Sequence, residues 1–597
     1  MLDPSAPAPE PAWSRRAGPL VLVLAFFAWL PSLGADFVWD DIPLVVHNQL
    51  TSSLANLPAM FRVDLWASTG MPEHDSGFYR PLLLLDFWLD RAVGGMSPVL
   101  HHAHSLAWHL LACWLVWRLL VRVVGPTGAA AGLPFFALHP AQVEAVSWVS
   151  ARNDPMTAAL LVGGLLLLDR DVPRVGDVVV GGLLVLAALL TKESALLAPL
   201  LLATVALART GRPGSLRGHA AVLAAVVVYL GLRVQAGVPP PVRADLAHLQ
   251  AAVPQSLAFY ARDLLWPVDL APGLHLAWPP AVPWPMLGLL AVAAGALLAL
   301  GQRRALGGLV FAALTLAPAL PAVAHQGLVA DRYLYLPLAG IALAVGAAFR
   351  APGPALLVCL TMGLGGAVGT GLQTRIWHDE DSLWTASLAR HPSPWIYGVI
   401  ARELDLSGRP DDAVLWYRRA TAPPHPMQEA CYRVAAVSLA RNAPEDILQD
   451  GQAALDAGCP DMPELRAPMV MALAMLGQWD QAEVRGLQVV EDPTGLVRVV
   501  LIAAGARRGE LGPLRLALHE HPDQDPGGLY QRVAWLLERA GDAGPSQAVL
   551  VAGVASGALP AELLPPGATL PPPPAPAATS GSEEEDARKG EGDTGGG

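Results

Sequence analysis

Apolar runs recur along the first two thirds of this chain, near 19–33, 99–121, 127–139, 155–168, 176–190, 194–208, 219–235, 284–300, 305–323, 333–349 and 354–372. A helix rises 1.5 Å per residue, so stretches of this size cross about 30 Å of hydrocarbon, or nearly so. Eleven spans put the loops with Arg15/Arg16, Arg118/Arg122, Arg170/Arg174, Arg209/Arg212/Arg217, Arg303/Arg304 and Arg350 on one side. By the positive-inside rule that side is the cytoplasm. An odd span number then leaves the C-terminal region outside it. Segment 253–268 departs from the pattern, because Arg262 and Asp263 are costly in lipid; it predicts an interfacial helix.

The outer loop 35–98 mixes acids, tryptophans and apolar patches such as PLLLLDFWLD, which predicts helices lying on the membrane surface. From about 378 the apolar runs shorten into helix-pair patterning. Gly408, Asn442 and Gly477 are spaced 34 and 35 residues, with Gly509 and Gly541 continuing at 32. Around Gly408, the residues Ala401, Leu404, Ala413, Tyr417 and Ala420 fit a tetratricopeptide (TPR) repeat, and Ala454 and Ala482 hold matching small positions. Such repeats stack into a concave surface suited to an extended chain. The expected layout is all-α. A cytoplasmic N-terminus (1–18) precedes a polytopic membrane domain (19–375), then a TPR-like α-solenoid (376–560) and a disordered Pro-rich acidic tail (561–597).

Composition agrees: 53% of the 597 residues are hydrophobic and only 15% charged, against roughly 25% in soluble domains. The net charge of -12 argues against a nucleic-acid partner, since phosphate backbones would be repelled. Four cysteines are too few for a disulfide scaffold or thiolate metal cluster, and the spacing of Cys431 and Cys459 gives no strong geometric case for a bridge. Of 39 basic residues only Lys192 and Lys589 are lysines.

Polar residues beside hydrocarbon are expensive and tend to be functional. In the eleven-span arrangement the prominent clusters share the outer face. Asp40-Asp41 follows the first span; two adjacent carboxylates repel, so one can act as a base or the pair can help hold a divalent cation, and a helix N-cap is the plain alternative. Arg80, in FYRP, suits a bidentate phosphate contact or a snorkelling surface position. His102 and His109 share one face of the second span, where interhelical hydrogen bonding outweighs metal ligation. In LHPAQVEAVSWVSARND, His139 closes the third span while Glu144, Trp148 and Arg152 follow at helical spacing, either lining a substrate or closing a Glu144–Arg152 salt bridge. Lys192, rare in this chain, suits a phosphate or carboxylate partner, with a Glu193 pair as the alternative. Asp331, Arg332 and Tyr333 open the tenth span, where an aromatic belt with a snorkelling arginine is the simpler account.

Together these place carboxylates and cations at one membrane face, equipment for a phosphate-bearing amphiphile whose tail stays in lipid. No G-x-x-x-x-G-K-[ST] loop, dinucleotide fingerprint or H-E-x-x-H is present, so nucleotide-driven transport, dinucleotide redox chemistry and zincin proteolysis lack support.

WDD after span one, FYRPL, the His102/His109 pair, LHPxxxEAVxWVSxRND, TKExxxxxP, DRYLYLP and the TPR array stand in an order that resembles the TPR-containing multi-span glycosyltransferases of the GT-C superfold. The transmembrane O-mannosyltransferases with C-terminal TPRs belong to that group. The resemblance covers about residues 15–560. It implies a polyprenyl- or dolichyl-phosphate sugar donor, with Asp40 and Asp41 near the catalytic centre and one of them deprotonating the acceptor hydroxyl. By charge and sidedness, Arg80, Arg152, Lys192 and Arg332 are candidates to stabilise phosphate charge, Glu144 to position a sugar, and His139, Asp331 and Tyr333 to join them in binding substrate or donor phosphate. Ser105 stands where relatives often carry Asn, and the extra domain of eukaryotic members has no counterpart, so mannose and a cadherin-like acceptor do not transfer. Arg-for-Lys bias and Ala/Pro richness predict a high-GC bacterium, hence the inner membrane with periplasmic repeats.

The leading expectation is a membrane transferase that moves sugar from a polyprenyl-phosphate donor onto a protein or glycan acceptor recruited by the repeats. A lipid-linked glycan polymerase or ligase is the rival enzyme, and a non-catalytic TPR scaffold or transporter the rival of another class.

Overall fold

The computed structural model describes residues 10–70, 76–239, 246–272, 300–326, 328–423, 426–489, 492–514 and 525–569, with 274–275, 292, 295–296 and 516. The apolar run at 284–300 lies almost wholly outside the described residues, as does the tail from 570 onward. Among the described residues the chain is helical apart from one antiparallel pair, Leu274–His275 with Leu328–Val329. It divides into two compact units, Met1–Tyr397 and Gly398–Gly597.

Among the described residues of the first unit six helices are long and apolar enough to cross a membrane: Ala12–Gly34, Pro98–Ala137, Glu193–Thr210, Leu216–Gln235, Arg303–Val323 and Pro352–Trp377. Shorter apolar helices, Asn153–Leu168, Val175–Leu189 and Tyr335–Ala348, pack with them. Leu20, Phe27, Leu183, Val227, Leu357 and Leu364 are each more than half exposed, an arrangement stable in lipid and unfavourable in water. The chain is a multi-pass membrane protein.

The forty residues Pro98–Ala137 are a hairpin rather than one rod. Gly125 takes φ 85°, a conformation that glycine adopts without a Cβ clash, and Pro126 follows it. A straight helix would separate residues 109 and 137 by about 42 Å. Instead His109 Nε2 lies 3.2 Å from the Ala137 carbonyl oxygen. The separate apolar runs at 99–121 and 127–139 are its two arms. The second arm meets helix Tyr335–Ala348 at backbone distance: a Cβ on Gly132 would lie 2.1 Å from the Ala342 carbonyl oxygen. Small residues permit that approach where no hydrophobic drive exists between helices in lipid.

Between the first span and the hairpin, the described residues of 35–98 fold into short turns and helix Pro81–Gly94. They build a small core of their own from Leu44, Val45, Met60, Leu65, Leu83, Leu84 and Phe87, which also takes in Val149. Segment 253–268 belongs to helix Leu246–Leu265, with Leu265 and Trp266 exposed at its end.

In the second unit the described helices from Pro410–Ala420 to Leu496–Arg507 each pack on the next in the chain, and helices Gln428–Ala440, Pro463–Met475, Leu496–Arg507 and Pro526–Arg539 also pack in succession on one another. Gly408, Asn442, Gly477, Gly509 and Gly541 all have positive φ, from 56° to 88°. Each closes its helix in the same way. Its own N–H donates to the carbonyl three residues back, and the next N–H donates to the carbonyl five back, as with Gly477 to Ala474 and Gln478 to Leu473. Asn442 is the one non-glycine of the five, a residue type that tolerates this region. Cys431 and Cys459, left unpaired by their spacing alone, are disulfide-bonded here, with Cα atoms 5.7 Å apart.

Candidate functional site

The motif segment 139–154 is a buried, broken helix: a 3-10 turn, helix Val143–Ser147, a second 3-10 turn, then the start of helix Asn153–Leu168. Trp148 in extended conformation separates the two halves. Successive side chains therefore leave in different directions, and each reaches a different cluster expected from sequence.

Asp41 is 0% exposed. One carboxylate oxygen accepts from the Ser150 N–H at 2.7 Å and the Ser150 hydroxyl at 2.5 Å, and the other from the Val38 N–H at 3.2 Å. Burial pushes its pKa up to about 7, against the lowering effect of those donors. It precedes helix Ile42–Val46 without making a side-chain cap, so the N-cap alternative does not describe it. Asp40 is half-buried and close enough to Asp41 to raise that pKa further. Trp39 has φ 54°, a left-handed conformation that costs a bulky residue about 1–2 kcal/mol. Its ring stacks on Trp148 at 4.5 Å and 7°, and its N–H donates to Glu380, whose other oxygen accepts from Trp384 Nε1. Packing thus fixes the strained turn that presents the acidic pair.

Glu144 pairs with Arg332 rather than Arg152, and also accepts from the Arg332 N–H at 3.2 Å. Arg332 sits 5.1 Å from the Trp148 ring and 5.0 Å from the Tyr333 ring. Lys192 Nζ is 5.8 Å from that same Tyr333 ring, and pairs with Asp154 at 2.6 Å rather than with Glu193. Burial lowers the Lys192 pKa, and Asp154 opposes the shift. Glu193 is engaged by Arg80 at 3.0 Å and by the Tyr79 N–H at 2.8 Å. Arg80, Lys192 and Arg332 thus each hold one carboxylate within a single electrostatic neighbourhood. Asp331 is buried and shares a hydrogen bond with Asp263. Burial raises both carboxyls, Asp263 to about 6.

Two expected site residues are placed elsewhere. Arg152 is 0% exposed, and its nitrogens are consumed by Asp86 at 2.7 Å, Asp90, Ser105 Oγ at 2.9 Å and the His101 carbonyl at 2.7 Å. The placement of Arg152 has a simple cause: a buried guanidinium takes the nearest carboxylates, and helix Pro81–Gly94 offers two, one turn apart. His139 accepts from the Ala141 N–H at 3.2 Å and lies 3.2 Å from the Leu264 carbonyl, closing a turn rather than facing the cations. His109 hydrogen-bonds Tyr335 Oη at 2.7 Å, the interhelical role expected for it, and His102 lies 3.3 Å from the Asp36 carbonyl.

Sequence reasoning missed Asp86, Asp90, Ser150, Asp154 and Glu380 as partners. Asp86 and Asp90 carried a signal: two acids four apart on a helix that is apolar but for them and Arg91 demand a buried cation. With His104 they form the one group of three metal-capable side chains among the described residues, but Arg152 already supplies the neutralising charge there. Asp40 and Asp41 gain no third ligand of that kind among the described residues. Trp148 Nε1, Asn153 Oδ1 and Asp154 Oδ2 are buried without a hydrogen-bond partner among the described residues. Such groups cost about 1–3 kcal/mol each, and substrate hydroxyls are groups that would satisfy them.

The chain is similar to several protein O-mannosyl-transferases. It is 34% identical over 182 residues to protein O-mannosyl-transferase Tmtc1 of Drosophila melanogaster, which is 30% of this chain and 21% of the relative. It is 25% identical over 152 residues to protein O-mannosyl-transferase F38B6.6 of Caenorhabditis elegans (25% of this chain, 22% of the relative). With human protein O-mannosyl-transferase TMTC3 it shares 24% identity over 140 residues, 24% of this chain and 15% of that protein. The match thus spans about a fifth of the length of these curated relatives. No protein-family model matches the chain, and no solved structure matches it.

Proposed function

We propose that this protein is an integral-membrane glycosyltransferase of the GT-C type. It moves a sugar from a polyprenyl-phosphate donor to a hydroxyl of a protein or glycan acceptor. The observation that carries this reading is the hub at 139–154, which links the acidic turn through Ser150, Arg332 through Glu144, and Lys192 through Asp154. The names of the relatives support the sugar-transfer class.

In this reading Asp40 is the base, because Asp41 is sealed against Ser150 and Val38 and orients the turn instead. Asp40 takes the proton of the acceptor hydroxyl. That oxygen attacks the anomeric carbon as the sugar–phosphate bond breaks, and the configuration inverts. The departing electron pair stays on the lipid phosphate. Arg80, Lys192 and Arg332, each already oriented by a carboxylate, stabilise that charge with their remaining N–H groups. Tyr333, between Lys192 and Arg332, and the Asp263–Asp331 pair hold the cationic wall. In this reading the chain has eleven spans, this face looks into the periplasm of a bacterial inner membrane, and TPR-like repeats on the same side recruit the acceptor. The Cys431–Cys459 disulfide supports an oxidising compartment for them.

The test compares periplasmic glycoproteins by mass spectrometry in a deletion strain carrying wild type or Asp40→Asn. Loss of the base should reduce transfer about 10²- to 10⁴-fold at unchanged expression and membrane insertion. Full complementation by Asp40→Asn would remove the acid–base reading and favour a scaffold. Reporter fusions after Gly211 and Arg304 should read cytoplasm, and near Ser393 periplasm; a cytoplasmic Ser393 would overturn the topology.

A further inference from the structure

A cavity of about 530 Å³ runs along the first arm of the hairpin, against helices Asn153–Leu168 and Val175–Leu189. Its wall is apolar along Leu111, Trp114, Leu160 and Gly163. Trp108 stands at one end and Arg122 at the other, about 21 Å apart along the helix, more than one leaflet's share of the hydrocarbon. The two ends differ in charge. At the first, Trp108 Nε1 donates to Asp86 at 3.1 Å, beside Asp90 and His104. At the second lie Arg118, Arg122 and Arg170.

These arginines are not equally engaged. Arg122 donates to the Leu166 carbonyl at 2.7 Å and pairs with Asp169 at 3.4 Å, and Arg170 pairs with Asp177 at 2.8 Å. Arg118 is exposed and lies 5.4 Å from the Trp114 ring; it makes no hydrogen bond or ion pair among the described residues. Leu111, Trp114 and Arg118, at helical spacing, thus present two apolar side chains and then one cation on the exposed face of a single helix.

We propose that this cavity binds an anionic diacyl phospholipid of the leaflet at the Arg118 end. Its phosphate meets Arg118, and its acyl chains lie along Leu111, Leu160 and Gly163. The polarity of the cavity selects this occupant. Asp86 and Asp90 are already neutralised by Arg152, so the choice of end rests on the lining cations: Arg118, Arg122 and Arg170 all stand at one end, and a headgroup belongs there, away from the cations proposed to hold the sugar donor. The inference is independent of the proposed reaction.

The test is native mass spectrometry of the full chain in neutral detergent, titrated with phosphatidylglycerol and with phosphatidylcholine of matched acyl chains. Phosphatidylglycerol should bind several-fold more tightly. Arg118→Gln should weaken it about fivefold, the effect of one cation near a membrane surface, and leave phosphatidylcholine unchanged. Gly163→Leu should weaken both lipids by filling the cavity; a Cβ there meets only Leu115 and Leu184, each at 3.6 Å. Equal affinity for the two lipids would overturn the proposal, as would indifference of phosphatidylglycerol to Arg118→Gln. If polyprenyl phosphate displaced phosphatidylglycerol at equimolar concentration in wild type but not in Arg118→Gln, the cavity would belong to a prenyl chain and the proposal would fall.

Discussion

In the first unit Arg152 is 0% exposed and meets Asp86 and Asp90, 66 and 62 residues earlier in the chain. In the second unit Arg466 is 35% exposed and meets Asp461, five residues away. The contrast extends beyond these two pairs. Around 139–154 the elements are tied by side chains across long sequence separations, Glu144 to Arg332 and Asp41 to Ser150 among them. The repeats are tied by backbone turns that close within five residues. The motif segment of one unit is held by long-range ion pairs under low dielectric; the helix ends of the other repeat one short-range backbone turn, beside a few longer links such as Arg418–Asp450 and Trp479–Asp542. Disturbance should therefore spread through the first and stay local in the second.

The largest effect should separate the two arginines. Arg152→Ala strands two buried carboxylates and should destabilise the first unit by about 3–5 kcal/mol. Arg466→Ala removes an exposed pair and should cost less than about 1 kcal/mol. Thermal unfolding of the detergent-purified protein, followed by circular dichroism, checks this; comparable losses would erase the distinction.

Next comes the disulfide. Cys431→Ser releases a link across 28 residues and should cost the second unit about 3 kcal/mol. Limited proteolysis should then cut the repeats sooner while leaving the membrane unit's fragments unchanged.

The third prediction concerns pH. Asp41 binds its proton more tightly when folded, with a pKa of about 7 against 3.8 for the unfolded carboxyl. Its contribution is fully present below about pH 4 and is lost as pH rises through 7. Asp263, raised to about 6, slopes the same way. Relative to Asp41→Asn, the wild-type melting temperature should therefore fall between pH 5 and 7.5, while buried His139, whose pKa burial lowers to about 4, slopes the opposite way in both proteins. An unchanged slope in the variant would show that Asp41 is not the titrating group.

The smallest effect tests the local rule. Gly477→Ala must place a Cβ at φ 72° and should cost about 1–2 kcal/mol, whereas Asn442→Gly, at φ 56°, should be neutral within about 0.5 kcal/mol. Equal costs at the two turns would mean that the repeats are not held by this geometry.

Legibility in sequence followed the same division. The positions 408, 442, 477, 509 and 541 were readable from spacing because a left-handed turn favours Gly or Asn wherever it occurs. The break between 121 and 127 was readable because Gly125-Pro126 cannot continue a helix under an apolar pattern. The identities of ionic partners were not. Helical spacing suggested Glu144 with Arg152, and adjacency suggested Lys192 with Glu193; neither pair forms, because Trp148 breaks the helix between the first two and the chain turns between the second.

By itself the sequence determined where the chain is apolar, where it must turn, and which few charged side chains lie beside hydrocarbon, since propensity and solvent preference act residue by residue. Only the tertiary structure decided that Asp41 is sealed while Asp40 stays half-exposed, that Arg152 is withdrawn into the Asp86–Asp90 pair, and that Arg80, Lys192 and Arg332 gather with their carboxylates. In a low dielectric, charges choose partners by distance in space, and that distance exists only once the helices have packed.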